Sequence, residues 1–515
     1  VCKTMERIVN KRLVYYLESG GFISEVQSGF RKQRCTVDQL IRLETWVRDG
    51  LMNKEHVVAI FFDLEKAYDT AWKHGVLSDL FDVGLRGNLP IFIAKYLTNR
   101  QFTVRVGTTL SDLYDQDEGF PQGGILSVTL FGLKINKISK CLTIGTEASL
   151  FVDDFLACCR SKQMRSIERQ LQTGLNNLQK WADENGFRFS KSKTVCMHFC
   201  NLRKLHPDPV LTIYQSIIPV VRETKFLGII FDSKLSFIPH LKSLRTRCLK
   251  AMNLLRVVAH RDWGADCETL LKLYRCLIRS KLDYGSVVYG SARKSYICML
   301  DPIQNQALRL CLGAFRTSPV ESLQVEANEP PLDIRRKKLA VHYCLKIKSN
   351  PKNPVYTCIF NPKFEDKFDN RPSAIPTFGI RIGKYLLDMN IDLPSIAQYK
   401  ICNTPPWILT SPQVILRLHT GQKSTTSSEL FKTQFHEILA ENQNYNFIYT
   451  DGSKDGDRVG SAAVSGHFEA KCRLIGNASI FTAELNAILL ALDFIENSTN
   501  ENHIIFSDSL SSLLA

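Results

Sequence analysis

Two short apolar runs in this chain end in aspartates. One is Ile60-Phe61-Phe62-Asp63-Leu64-Glu65-Lys66-Ala67-Tyr68-Asp69, and the other is Ser149-Leu150-Phe151-Val152-Asp153-Asp154-Phe155. Runs of this length, rich in β-branched and aromatic residues, predict buried strands. A carboxylate at the end of a buried strand is costly unless something cationic neutralises it. Hard divalent ions do that, and they support phosphoryl chemistry. Asp63 and Asp153 are therefore expected on adjacent strands of one sheet, sharing divalent ions. An Asp-Asp pair alone is more often a solvated turn, so the flanking residues have to decide.

Residues 1–20 place apolar side chains at helical spacing and stop at Gly20-Gly21. Helices are also expected over 39–47, 77–83, 90–97, 126–140 and 167–184, the last closed by Asn185-Gly186. Strands are expected over 56–64 and 102–106, and a hairpin over 149–159 with the carboxylates at its tip. Residues 118–124 form a Gly/Pro loop that opens a helix. Glycines such as Gly123 let backbone approach a base or sugar, and a helix N-terminus favours an anion. Gln122 offers an amide to the same ligand. Tyr68, five residues past Asp63, is placed to lie beneath a nucleotide sugar, where it would exclude a 2′-hydroxyl. The plainer role for Tyr68 is core packing, and for the loop a simple turn.

At 515 residues the chain exceeds one ordinary core, so two to four domains are expected. A formal charge of +15 suits a polyanionic partner, nucleic acid first. No apolar run reaches the roughly 18 residues of a membrane span, so no membrane partner is expected. The 16 cysteines lack a tandem metal-knuckle spacing. Cys196-Met197-His198-Phe199-Cys200 comes nearest and reads as core or surface thiols. Reduced thiols point to the nucleus or cytoplasm. The opening Val1-Cys2-Lys3 has no initiator Met, and the chain is expected to start inside a longer protein.

Taken in order, residues 62–69, Gly119-Phe120-Pro121-Gln122-Gly123-Gly124-Ile125-Leu126-Ser127 and residues 151–154 resemble the motifs of reverse transcriptases. Gln27-Ser28-Gly29-Phe30-Arg31-Lys32, then Thr36-Val37-Asp38-Gln39-Leu40, is similar to the fingers segment of non-LTR, LINE-like elements. Ala67-Tyr68-Asp69 followed by Trp72 resembles the same group, and a Jockey-like element fits. Residues 185–194 resemble the family's next motif, and Phe226-Leu227-Gly228 its primer grip. The resemblance covers about residues 1–320 and implies roles residue by residue. Asp63, Asp153 and Asp154 are implied as catalytic ligands of two Mg²⁺ ions, with Mn²⁺ as a substitute. Tyr68, Gln122, Gly123 and Lys193 are implied as nucleotide contacts, and Arg31 and Lys32 as nucleic-acid contacts. Gly124, Val128 and Phe151-Val152 depart mildly from the common pattern, and the family's outermost fingers strands would precede Val1.

A second ordered set is Tyr449-Thr450-Asp451-Gly452-Ser453, Thr482-Ala483-Glu484-Leu485 and Phe506-Ser507-Asp508-Ser509. Expected strands over 447–450, 460–464 and 503–507 and a helix over 482–497 bring Asp451, Glu484 and Asp508 together as metal ligands. Singly each is a cap or turn residue. Together they resemble ribonuclease H, which implies cleavage of RNA in a hybrid. That domain is expected to be truncated and inactive, because the family's remaining elements would lie beyond Ala515.

The expected fold is α+β: a right-hand polymerase followed by a partial ribonuclease H-like α/β domain. Residues 1–235 would be fingers and palm, 236–320 a helical thumb, 321–442 a connection, and 443–515 the second domain. Thumb residues Arg245, Arg247 and Lys250 are expected to track duplex phosphates. Residues 334–338 are the densest basic run, read as a nuclear-import signal, a backbone contact or a solvated helix face. The expected activity is RNA-directed DNA synthesis with an RNA template, a DNA primer, their hybrid and dNTPs as partners. An upstream endonuclease domain and an RNA-binding partner are implied for the full element. The rival reading is a relic or domesticated protein that binds nucleic acid without catalysis. A group II intron-type enzyme is a third, and the ribonuclease H-like tail speaks against it.

Overall fold

The apolar run before Asp63 folds into strand β1 (His56–Phe62), buried along its whole length. The structure, a computed structural model, describes residues 2–201, 206–260, 262–393, 396–408, 412–419, 427–498 and 502–514. The chain divides into two units, Val1–Asn403 and Thr404–Ala515.

In the first unit, β1 is joined by β2 (Glu147–Phe151), β3 (Asp154–Ser161) and β4 (Val195–Phe199). The sheet is antiparallel in the order β2-β3-β1-β4. Alternation along β1 sends Val57, Ala59 and Phe61 into one core and Val58, Ile60 and Phe62 into another. Both faces being covered, β1 needs no polar side and reads as an unbroken apolar run. On the second of these faces lie α1 (Cys2–Ser19), through Leu13 and Leu17, then α3 (Lys73–Asp82), α4 (Asn88–Leu97), α5 (Ile125–Ile135) and α6 (Met164–Asn185). Gly186, at φ 75, closes α6 as expected. On the other face lie α2 (Thr36–Met52) and α7 (Ile238–Val258).

The helix α2 is buried on nearly every side, and so are its charged residues Asp38, Arg42, Glu44, Arg48 and Asp49. Such a helix needs partners for each of them. Those partners correct one expectation. Residues 321–442 were expected to be connecting structure, but the helices Leu332–Lys348 and Phe378–Asp388 pack into the same core as α2. Tyr343 and Asn353 donate to the two carboxylate oxygens of Asp38, at 2.7 and 2.9 Å. Arg381 and Arg48 both reach Glu44 Oε1 at 2.7 Å. The prolines that suggested a linker stand just before these helices, as at Pro330-Pro331 and Pro376.

Two smaller differences have local causes. The helix expected over 126–140 stops being α-helical at Ile135 and continues as a 3₁₀ turn, Asn136–Cys141. There the Asn136 side chain turns to the backbone of Phe22 and Ser24, at 2.7 Å each. The strand expected over 102–106 is two exposed ladders, Gln101–Phe102 with Tyr114–Asp115 and Arg105–Val106 with Thr109–Leu110, folded over a turn at Gly107 with φ 62.

In the second unit, strands Asn446–Asp455, Arg458–Ser465 and Phe468–Leu474 form an antiparallel meander, and His503–Ser507 adds parallel to the first of them. The sheet order is third, second, first, fourth. The strand Phe468–Leu474 was not expected. Its half-buried Phe468, Ala470, Cys472 and Leu474 alternate with exposed Glu469, Lys471 and Arg473, a legible period of two. Helix Ile480–Glu496 presents Ala483, Ala487 and Ala491, all fully buried, and lies close to the sheet through these small side chains.

Candidate active site

Phe62 faces Phe155 across the β1–β3 ladder, so Asp63, one residue on, stands beside Asp154. Phe151 faces Asp154, which makes Val152-Asp153 the two-residue tip of the β2–β3 hairpin. The predicted hairpin with carboxylates at its tip is what forms. Val152 takes φ 63, a left-handed value costly for a β-branched residue. Something must hold it there, and Gln27 does. Its Oε1 accepts the N–H of Val152 at 3.1 Å and of Gly29 at 2.8 Å, while its Nε2 reaches the Val152 carbonyl at 3.4 Å. A side chain on Gly29 would meet Val152 at 2.5 Å, so glycine is needed for this approach.

A buried polar network stands behind the hairpin. Gln39, on α2, accepts from Ser149 at 2.7 Å and from Arg42 at 2.9 Å, and donates to Ser28. Segment 27–40 resembles a fingers segment, with Arg31 and Lys32 expected as its nucleic-acid contacts. Its buried members Gln27, Ser28 and Gln39 support the Asp153-Asp154 hairpin. Arg31 is likewise turned inward, bidentate to Glu18 at 2.7 Å and bonded to the carbonyls of Ser24 and Gln27. Lys32 is exposed.

Charge crowding marks the hairpin tip. Burial first, then Asp153 and Asp63, push Asp154 up to about 6. Burial and Asp63 also raise Asp153. Carboxylates that hold each other's protons this way suit a shared cation. Beside them, residues 188–194 dock along 63–65: Glu65 donates to the Arg188 carbonyl at 2.8 Å, and Ser190 to the Asp63 carbonyl at 2.7 Å. This places Lys193 Nζ 3.5 Å from Asp63. A groove here is lined by Lys66, Arg188 and Lys193 around Asp63.

Tyr68 stacks on Phe131, ring centres 4.4 Å apart, and is pushed up to about 12 by burial and by Asp153. One face of the ring is packed, as its plainer role expects, and the hydroxyl stands within the field of the hairpin. The loop at 119–124 is docked on the same segment, since Phe120 donates to the Tyr68 carbonyl at 2.8 Å and Gly119 to that of Ala71 at 3.0 Å. Gln122 donates to Asp69 at 2.8 Å, and Gly123 is exposed with φ 82. One expectation fails here. The N-terminus of α5 does not await an anionic ligand, because Glu6 on α1 accepts the N–H groups of Ile125 and Leu126 at 2.7 and 3.4 Å. Arg245, Arg247 and Lys250 lie exposed on α7, opposite its buried Leu241, Leu244 and Cys248. Of the basic run at 334–338, Arg335 is held by Asp283.

The second unit carries its own acidic centre. Thr450 pairs with Ser507, which sets Asp451 beside Asp508, and Glu484 enters from the helix. Ligand oxygens of Asp451, Glu484 and Asp508 all lie within 4.8 Å of one another. Asp63, Asp153 and Asp154 do not form so tight a group among the described residues. A side chain on Gly452 would meet Glu484 backbone at 2.6 Å, so the close seating of the helix requires glycine. Glu484 Oε2 is buried without a hydrogen-bond partner, and burial, Asp508 and Asp451 raise its pKa. An orphaned buried oxygen flanked by two carboxylates fits a divalent cation.

Comparison with known proteins follows the same lines. Residues 1–231 match the family described as reverse transcriptase (RNA-dependent DNA polymerase). A probable RNA-directed DNA polymerase from transposon X-element of Drosophila melanogaster is 28% identical over 328 residues, 61% of this chain and 34% of that protein. The RNA-directed DNA polymerase from mobile element jockey of Drosophila funebris is 26% identical over 359 residues, 68% and 38% of the two chains. A Pol polyprotein from retrotransposable element R1 of Nasonia vitripennis is 27% identical over 225 residues, 42% and 66%. The chain thus spans between a third and two fifths of the length of the first two relatives. Among solved structures, apo telomerase from Candida tropicalis aligns with a TM-score of 0.36 and 12% identity, over 73% of this chain and 60% of that one. At that score the likeness carries nothing further about the fold.

Proposed function

We propose that this chain, similar to the reverse transcriptases of non-LTR, LINE-like retrotransposons, extends a DNA primer along an RNA template. The observation that carries the proposal is the hairpin tip. Asp153 and Asp154 meet Asp63 at one end of the sheet, with Tyr68, the 119–124 loop and Lys193 gathered round them.

Asp63, Asp153 and Asp154 would hold two Mg²⁺ ions, or Mn²⁺ in their place. When bound, those ions supply charge stabilisation to the attacking 3′-hydroxyl and the leaving pyrophosphate. The chain's own residues do the rest. Tyr68, wedged on Phe131, is too rigid to yield to a 2′-hydroxyl and so selects dNTPs. Gln122 and Gly123 offer an amide and open backbone to the nucleotide. Lys193, with Lys66 and Arg188, receives negative charge leaving the site. Exposed Arg245, Arg247 and Lys250, with Lys32, attract the template–primer backbone without reading sequence.

For the second unit we propose a ribonuclease H-like hydrolytic site acting on the RNA of the hybrid, with Asp451, Glu484 and Asp508 as ligands. In the full element an endonuclease domain and an RNA-binding partner would supply primer and template. Its place of work is the nucleus or the cytoplasm, where free cysteines stay reduced.

One observation favours the rival reading of binding without catalysis: Lys193 Nζ stands 3.5 Å from Asp63, where it competes with a cation for that carboxylate. Primer extension separates the two. With Mg²⁺, the chain is expected to extend a DNA primer on RNA, and Asp153→Asn to lower the rate at least ~10²-fold. Equal extension by both proteins would remove the hairpin from catalysis. Hybrid binding with no extension by either would establish the binding-only reading.

A further inference from the structure

At the opposite end of β1 from Asp63, a second group of metal-binding side chains converges. The antiparallel register places Val57 opposite Phe199 and Val58 opposite His198. His56 therefore stands across from Cys200 and diagonal to His198, and the three share one face of the sheet. Ligand atoms of His56, His198 and Cys200 all lie within 4.8 Å of one another. His56 Nδ1 and His198 Nε2 are 3.0 Å apart. A tetrahedral zinc ion with Zn–N bonds near 2.0–2.1 Å separates its nitrogen ligands by about 3.3 Å, so a small outward shift seats the ion. The His206 ring stands edge-on to His56, centres 4.8 Å apart, outside the group of three but near enough to turn in as a fourth ligand.

The surroundings fit a metal in a second, independent way. His198 Nδ1 lies 3.0 Å from Asp208 Oδ1. That contact fixes the Nδ1–H tautomer and turns the Nε2 lone pair inward, the carboxylate–histidine–metal arrangement of a protein zinc ligand. Arg222, 3.5 Å from Asp208, keeps the carboxylate in place. Both His56 and His198 are about 5% exposed or less, so water has little access to the pair.

We propose that His56, His198, Cys200 and His206 form a structural zinc site with a three-nitrogen, one-sulfur donor set. Cys200 binds as the thiolate, its proton released to solvent as the Zn–S bond forms. Cys196, nearest in sequence pattern, is not a ligand: it is fully buried in the core. The ion would pin β4, the edge strand of the sheet, to β1 and to the segment at His206–Asp208. It is separate from the acidic sites, which take hard oxygen-seeking ions.

The rival is a metal-free pair of imidazoles sharing one proton. The test uses the full chain without a histidine tag, dialysed and then titrated with Co²⁺. Expected are one tightly bound equivalent, tetrahedral visible bands and a thiolate-to-cobalt charge-transfer band, with Zn²⁺ displacing the Co²⁺. Cys200→Ser is expected to lose the charge-transfer band, and Asp208→Asn to weaken binding about 10-fold or more. In the unmodified chain, Zn²⁺ is expected to protect Cys200 from alkylation, read by peptide mass spectrometry. That measurement needs no variant to fold. No stoichiometric Co²⁺ binding, a charge-transfer band that survives Cys200→Ser, or alkylation of Cys200 unaffected by Zn²⁺ would each overturn the site.

Discussion

Gln27 grips both backbone polar groups of Val152, accepting its N–H at 3.1 Å and donating to its carbonyl at 3.4 Å. The strained tip that carries Asp153 is thus held by a side chain 125 positions away in sequence. Gln27→Ala leaves those groups without a partner, at a cost of about 1–3 kcal/mol. Extension should fall while hybrid affinity, read by anisotropy, stays level. Val152→Gly, which accepts φ 63 freely, should recover part of the loss in the Gln27→Ala background. Absence of any recovery would show that Gln27 acts otherwise than through the tip.

The pH profile follows from Asp154, raised from 3.8 to about 6. Below about 6 it carries a proton and cannot bind a cation, so apparent Mg²⁺ affinity should drop as pH falls through that value. In metal-free protein the sign reverses for stability. The folded chain holds this proton more tightly than the unfolded one, so its ionisation weakens the fold as pH rises from about 4 to about 6. Asp154→Asn should flatten that slope. Urea midpoints across the window, with and without Mg²⁺, measure both effects.

Glu484 makes a parallel case in the second unit. Its raised pKa and orphaned oxygen mean that the metal-free triad repels itself. Glu484→Gln should raise the melting temperature of metal-free protein and remove Mn²⁺ binding from the second unit by calorimetry. A lower melting temperature would indicate that the carboxylate has a structural cation-free role.

Glu44 is fully buried between Arg48 and Arg381. Removing one partner from a buried ion pair costs about 3–5 kcal/mol, so Arg381→Ala should lower the unfolding free energy, read from urea titration, by that much. A change under about 1 kcal/mol, the range of surface pairs, would mean that the helix Phe378–Asp388 adds little to the first unit's core.

Lys193 and Asp63, both solvent-accessible, are a different kind of pair. Lys193→Ala should alter stability by no more than about 1 kcal/mol. Its effect should appear in the dNTP KM, which is expected to rise. An unchanged KM would leave Lys193 as surface charge.

The sequence was most legible where one residue type had one physical reason to stand in place. The unbroken apolar run of β1 and the Asn185-Gly186 helix stop read this way, while the Asp153-Asp154 tip and the Asp451, Glu484, Asp508 triad were legible only as members of ordered motif sets. It was least legible where a polar residue serves a distant partner. Arg31 looks like a surface contact until Glu18 is beside it, and Gln27 gives no local sign that it holds the hairpin. Glu6 gives no local sign that it caps α5. The helices after residue 320 were read as a connection because prolines are visible in sequence and the buried Glu44–Arg381 pair is not. The zinc ligands come from two strands and a loop, so no spacing rule joins His56 to Cys200.

The burial of α2 has a consequence for how this protein can change over time. Gln39 on that helix supports the Asp153-Asp154 hairpin, while Asp38 and Glu44 on the same helix anchor helices some 300 residues downstream. A substitution that improves one set of contacts alters the rotation or depth of the helix for the other. The two regions cannot drift independently, and compensating changes should arise in pairs that flank α2 without touching each other.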